Sequence, residues 1–163
     1  MKYQRLSSAE LANLKDDFIR FIASQGLDAA AWTEMKNSNI EEAEEIIHIY
    51  SDLVYDQALG KCQFIEHVSA KEFKAIRFDD TESLVKGLKV KEGSKINLNT
   101  PDFHTSVQKG LENQEVEVFT AIKKHDQLRE QEMYGWIKKG GYMADEKWFI
   151  EISRLIDHLK QAR

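Results

Sequence analysis

The chain has one cysteine and one proline in 163 residues, no excess of basic side chains and no long apolar run. Each shortage excludes something. With Cys62 alone, no internal disulfide and no thiolate zinc cage can form within one chain, which fits a reducing compartment. A spanning helix needs about 20 consecutive, mostly apolar residues. No stretch approaches that, and the opening Met1-Lys2-Tyr3-Gln4-Arg5-Leu6 lacks the apolar core of a secretion signal. The expected location is therefore the cytoplasm, with no membrane partner. The net charge of −5 counts against nucleic acid, whose phosphates require a basic stripe. No G-x-S-x-G elbow, P-loop, G-x-G-x-x-G or H-E-x-x-H occurs. No catalytic residue and no cofactor can be named, and the balance leans against an enzyme.

What is present is enough for a core. Hydrophobic residues make up 42% and charged residues 31%, the composition of a folded chain rather than a disordered one. No repeat, low-complexity tract or flexible linker interrupts it, so one domain, 1–163, is expected. Charge is uneven: residues 1–60 hold five Lys and Arg against eleven Asp and Glu, net −6.

The first sixty residues read as a helical unit of three helices. Ser7-Ser8-Ala9-Glu10 is a capping box for a helix running toward Gly26, and Asp28 can cap a short helix from Ala29. Ser38 with Glu41 reads as the cap of a long helix closed by Gly60. Its apolar residues, Ile40, Ala43, Ile46, Ile47, Tyr50, Leu53, Val54 and Ala58, recur at three- and four-residue intervals and should be buried, joining the N-terminal helices to the sheet. After Gly60 the period changes from 3.6 to 2, the mark of strands.

Residues 61–122 predict a sheet with one crossover helix. Strands are expected around Cys62–Val68, Phe73–Phe78, Leu84–Val90, Ile96–Leu98 and Val116–Ile122, with a helix opened by Thr100 and Pro101 before the last. Residues 126–162 predict a helical pair, the first opened by Asp126 and stopped by Gly140-Gly141, the second opened by Asp145. The fold class is α+β: an antiparallel or mixed sheet of four to five strands, with an N-terminal three-helix unit and C-terminal helices. One irregularity stands out. Ile65, Phe73, Ala75, Val85, Phe119 and Ala121 fall by strand parity on one sheet face, opposite Phe64, Ile76, Leu88 and Val118, so both faces are apolar and both need cover, from helices or from a second subunit.

Candidate sites are few. Glu44, His48 and Asp52, four apart, line up on successive turns and form half of a metal site, although a solvated acidic face is the commoner outcome of such a pattern. Cys62 and His67 have opposite strand parity and cannot pair. Glu66 shares its face with Phe64 and Val68, which can desolvate it as a general acid requires, although a carboxylate at the end of a strand more often reaches water or an Arg or Lys. Lys138, Lys139 and Tyr142 surround a glycine turn with charge and aromatic surface that could take phosphate and a base, though lysines there also complement a helix terminus. Ile65, Phe73 and Phe119 mark a candidate interaction face.

The stretches M-K-Y-Q-R-L-S-S-A-E-L, F-I-R-F-I-A-S-Q-G-L-D-A-A-A-W, S-D-L-V-Y-D-Q-A-L, K-I-N-L-N-T and E-V-E-V-F together resemble a small bacterial family of uncharacterised proteins about this long. The resemblance implies a cytosolic domain of unknown function and supplies no site. On the residues themselves, the leading reading is a non-enzymatic protein-interaction module that associates with another protein or with itself as a homodimer. A small-molecule or metal-dependent enzyme and a nucleic-acid-binding domain are the alternatives.

Overall fold

A computed structural model describes residues 2–162. The chain divides into two compact units, Met1–Ala58 and Leu59–Arg163.

The first unit holds helices α1 (Ser8–Asn13), α2 (Lys15–Ser24), α3 (Ala29–Ser38) and most of α4 (Ile40–Lys61). Ser7 and Glu10 form the expected capping box, Glu10 N donating to Ser7 Oγ at 3.3 Å and Ser7 N to the Glu10 carboxylate at 2.7 Å. The one helix expected from there to Gly26 is two, because Leu14 leaves helical geometry at ψ 19°. Asp28 caps α3 as expected, accepting from Ala31 N at 2.8 Å.

The cap of α4 falls one residue later than the sequence predicts. Ser38 stays in α3 and donates its hydroxyl to Glu34 O, while Asn39 and Glu42 make the reciprocal pair that Ser38 and Glu41 do not. Gly60 does not close the helix in a left-handed turn either. The helix runs through it to Lys61, and Cys62 N bonds Leu59 O at 3.2 Å; the glycines with positive φ are Gly26, Gly93 and Gly140. Of the apolar face expected to be buried, Ile40 and Leu53 are exposed, whereas Ala43 and Ile47 are buried and Tyr50, 3% exposed, centres an aromatic cluster with the Phe18 and Phe21 rings at 5.0 and 5.1 Å.

The second unit is an antiparallel five-stranded sheet in the order β4-β3-β2-β1-β5. Its strands are β1 (Phe64–Val68), β2 (Glu72–Phe78), β3 (Glu82–Val90), β4 (Val116–Lys124) and β5 (Tyr142–Ala144), with α5 (Phe103–Glu112), α6 (Arg129–Lys138) and α7 (Lys147–Gln161). This is the α+β class the sequence predicts, and antiparallel throughout. Four local expectations are corrected. The Ile96–Leu98 segment is not a strand, since Lys71 Nζ takes the carbonyls of Ser94 and Ile96, and Leu98 N bonds Ala70 O at 2.9 Å. Thr100 does not cap α5, whose first turn follows Asp102. Asp126 does not cap α6; its N–H donates to the Glu132 carboxylate at 3.0 Å, and Leu128 stands at the cap. The C-terminal helical pair is also separated by β5, a three-residue strand beside β1.

Both sheet faces are covered, but the registers differ from the expected ones. Val68 pairs with Phe73 and Ile65 with Ile76, so Phe73 and Ala75 share a face with Phe64 and Val68, opposite Ile65. That face packs against Phe149, Ile152 and Ile156 of α7 and Val107 of α5. On the other face Ile65, Ile76 and Phe78 are at most 1% exposed, and α6 brings Trp136 to 5.7 Å from the His67 ring. Each such side chain contributes about 1.5–3 kcal/mol by leaving water. Arg129, at the start of α6, donates to the carbonyls of Phe78, Leu59 and Cys62, tying the end of β2 to the end of α4 with a cation at a helix C-terminus.

Gly87 of β3 lies opposite Phe119 of β4, and a Cβ there would stand 2.2 Å from the Phe119 ring. The ring occupies the space that any other residue would fill. Gly87→Val is expected to cost about 1–3 kcal/mol in urea denaturation, with part of the loss recovered by adding Phe119→Ala; a single variant as stable as the native chain would contradict the packing.

Candidate functional site

Glu44, His48 and Asp52 do line one side of α4, but the carboxylates are already engaged by the N-terminal segment. Arg5 forks onto Glu44 at 2.7 and 3.1 Å, and Asp52 accepts the backbone N–H groups of Lys2 and Tyr3 at 2.8–3.0 Å. Asp56, one turn on, takes Lys2 Nζ and the Tyr3 hydroxyl, both at 2.7 Å. The bond from Arg5 holds the Glu44 carboxyl below the usual range. Burial pushes the Asp56 carboxyl up, but the Lys2 and Tyr3 bonds and the Lys2 charge outweigh it and leave it lowered. Among the described residues no group of three or more His, Cys, Asp and Glu is arranged to hold a metal ion.

The three residues of the candidate interaction face are not brought together. Ile65 (0% exposed) and Phe73 (2%) are buried on opposite faces, and Phe119 is half-buried over Gly87. The sheet likewise separates Lys138 and Lys139 from Tyr142. Lys139 caps α6 over the Trp136 ring at 5.2 Å, with its carbonyl 3.2 Å from His67 Nε2, while Tyr142 shares the opposite face with Glu66. Lys138 lies over the Tyr134 ring. Cys62 donates its thiol to Phe64 O at 3.0 Å.

Two features remain. The first is a pocket of about 270 Å³ at the β1–β2 turn, walled by Phe73 of β2, Phe103 of α5, Trp148 of α7 and Tyr142 of β5. Beside it Glu66, only 6% exposed, accepts the Tyr142 hydroxyl at 3.0 Å. Its cross-strand neighbours are Tyr142 and the small Ala75. Burial drives the Glu66 carboxyl above its usual range despite that bond, with Asp145 raising it further and Lys147 opposing. Burial and the Glu66 charge push the Tyr142 phenol up to about 12. The shared face with Phe64 and Val68 made the burial of Glu66 legible; its partner was not, because a three-residue strand after two glycines has no readable period.

The second feature is the free edge of the sheet. Among the described residues β4 pairs only with β3, and Thr120, Ala121 and Ile122 are exposed, Ile122 to 65%. Lys91 N donates to Glu115 O, and His125 N to Thr81 O. Odd-numbered residues of β4 therefore turn their backbone groups to β3, and Val116, Val118, Thr120, Ile122 and Lys124 direct theirs outward.

The chain belongs to a family of unknown function, DUF6495, whose model matches residues 1–157. No curated protein and no solved structure matches it. No helix among the described residues is long and apolar enough to cross a membrane.

The ionisable groups set two pH dependences of opposite sign. The lowered Asp56 and Glu44 carboxyls stabilise the fold above the ordinary carboxylate range, and that contribution is lost as pH falls through their lowered folded values. Asp56→Asn is expected to lower Tm on the order of 2 °C at neutral pH, discounted for solvent screening, and to lose less than the native chain on acidification. The raised Glu66 acts the other way: its contribution is full below the unfolded value and is lost as pH rises through the folded one. Melts from about pH 4 to 7 should thus fall less steeply for Glu66→Gln than for the native chain; an unchanged slope would contradict the burial of a titrating carboxyl.

Proposed function

We propose that the protein is a non-enzymatic interaction module that self-associates by joining β4 to β4 of a second copy, extending the sheet across a two-fold axis. The observation that supports this is the edge itself: nine residues long, paired on one side, with outward backbone groups at alternate positions. The strand is also self-complementary. With the axis at Thr120, Val118 faces Ile122 of the partner subunit, Phe119 faces Ala121 of the partner subunit, and acidic Glu117 meets basic Lys123 of the partner subunit. Shifting the register by two residues keeps the backbone bonding; one direction leaves Lys123 facing Phe119 of the partner subunit, while the other sets Glu115 in place of Glu117 against Lys123, so charge narrows the choice to two registers. Ile122, otherwise a large apolar side chain in water, is covered by this pairing.

The absence of any familiar catalytic constellation in the sequence supports a binding role over an enzymatic one. The lone cysteine and the resemblance to a bacterial cytosolic family support a cytoplasmic setting.

The test uses the outward position of Thr120. Proline there removes an N–H that the fold does not use, whereas proline at Ala121 removes one that bonds β3. Light scattering with size exclusion at about 100 μM should find the native chain dimeric and Thr120→Pro monomeric with its melt retained, while Ala121→Pro should cost about 3 kcal/mol. A native chain that stays monomeric, or a Thr120→Pro variant that stays dimeric, would overturn the reading.

A further inference from the structure

We infer that the pocket at the β1–β2 turn binds a small organic cation, an alkylated ammonium group carrying a hydrogen-bonding arm, held by aromatic walls of which Tyr142 is backed by the carboxylate of Glu66. The site is independent of the β4 edge.

Three observations converge on that chemistry. The walls are aromatic: Phe103 stands 4.9 Å from both Phe73 and Trp148, meeting Trp148 edge-on at 89°, and Tyr142 closes the β5 side. Aromatic faces present negative potential and attract weakly hydrated cations. Glu66 does not itself line the pocket but places a carboxylate behind Tyr142, and by accepting the phenol's hydrogen bond it makes that ring more electron-rich. An anionic or neutral polar ligand would meet this charge without compensation; a cation completes it. Of the nearby charges, Asp145 adds to the negative field and Lys147 subtracts from it, and the His104 ring lies 4.7 Å from Trp148.

The third observation is an unmatched hydroxyl. Thr100 Oγ1 is buried at the pocket wall and has no hydrogen-bond partner among the described residues. Buried polar groups are almost always satisfied, and a small shift of the wall that admits a ligand's hydroxyl or N–H arm to this oxygen would meet that need. The volume of about 270 Å³ equals roughly nine waters of liquid, which suits a molecule of about seven to ten heavy atoms.

Choline and its uncharged isostere 3,3-dimethylbutan-1-ol separate charge from shape. Each is titrated into the full chain and followed by the NMR signals of the Trp148 indole N–H and the Thr100 methyl. Choline is expected to saturate these signals and to bind at least about tenfold more tightly than the isostere. Glu66→Gln keeps an acceptor for Tyr142 but removes the charge, and Tyr142→Leu removes a ring from an edge strand. Both should weaken choline about tenfold and leave the isostere unchanged. Equal affinity for the two probes, no saturation by choline, or an unchanged choline affinity in Glu66→Gln would each overturn the proposal; the last reading stands even if Tyr142→Leu fails to fold.

Discussion

The second unit depends on one constraint: β2 is buried on both faces. Phe73 and Ala75 leave water on one side, Ile76 and Phe78 on the other, so the sheet needs helices above and below, and the connections must deliver them. α5 and α7 cover one face. α6 lies on the other, running from Arg129 at the end of β2 to Lys139 beside His67 of β1, within the connection that carries the chain from β4 at one edge to β5 at the opposite edge. The strand order is thus tied to the demand for two-sided cover.

Two buried carboxylates in this unit show how the donors a carboxylate receives set the direction in which its pKa moves. Glu66 and Glu132 are 6% and 7% exposed. Burial pushes both up, but Glu132 receives the Lys123 ammonium at 2.9 Å and the Asp126 N–H at 3.0 Å, and its carboxyl ends below the usual range. Glu66 receives one neutral phenol and ends above it. Glu132 therefore works as a structural anion that fixes the β4–α6 turn. Glu66 is left under-compensated beside a pocket, the condition under which a carboxylate gains most from an arriving cation.

How much of this could be read in the sequence depends on the range of each interaction. Caps are local, so Ser7 and Asp28 were legible from three-residue spacings. Ser38 was not, because Asn39 one residue later offers a competing side chain, and choosing between two adjacent caps takes the preceding helix, in which Ser38 is still bonded to Glu34. Gly60 failed for a related reason: glycine permits a left-handed stop without imposing one. The α+β class and most strands were legible from the change of period. Face assignment was not, because strands apolar on both sides give no alternation to anchor register; the turn from Ser69 to Glu72, where Ser69 N bonds Glu72 O at 2.8 Å, sets it instead. The engagement of Glu44 and Asp52 by Lys2, Tyr3 and Arg5 spans some forty to fifty residues and has no local signature.

The two ends of the sheet are then unequal in a way that bears on function. Natural sheets protect their edges by keeping them short, by charging them or by covering them. β5 is protected by length, only three residues, and by the glycine turn that launches it. β4 is three times as long, and its charges sit at its ends: Glu117 near one, Lys123 and Lys124 at the other, with Val118 to Ile122 uncharged between them. Charges placed so as to repel another strand would be of one sign or central. Opposite signs at opposite ends repel a parallel copy, which would set like against like, and attract an antiparallel one. The sequence of β4 thus discriminates between the two ways a second copy could approach, although within the chain Lys123 already pairs with Glu132 at 2.9 Å and Glu117 with Lys91 at 3.7 Å.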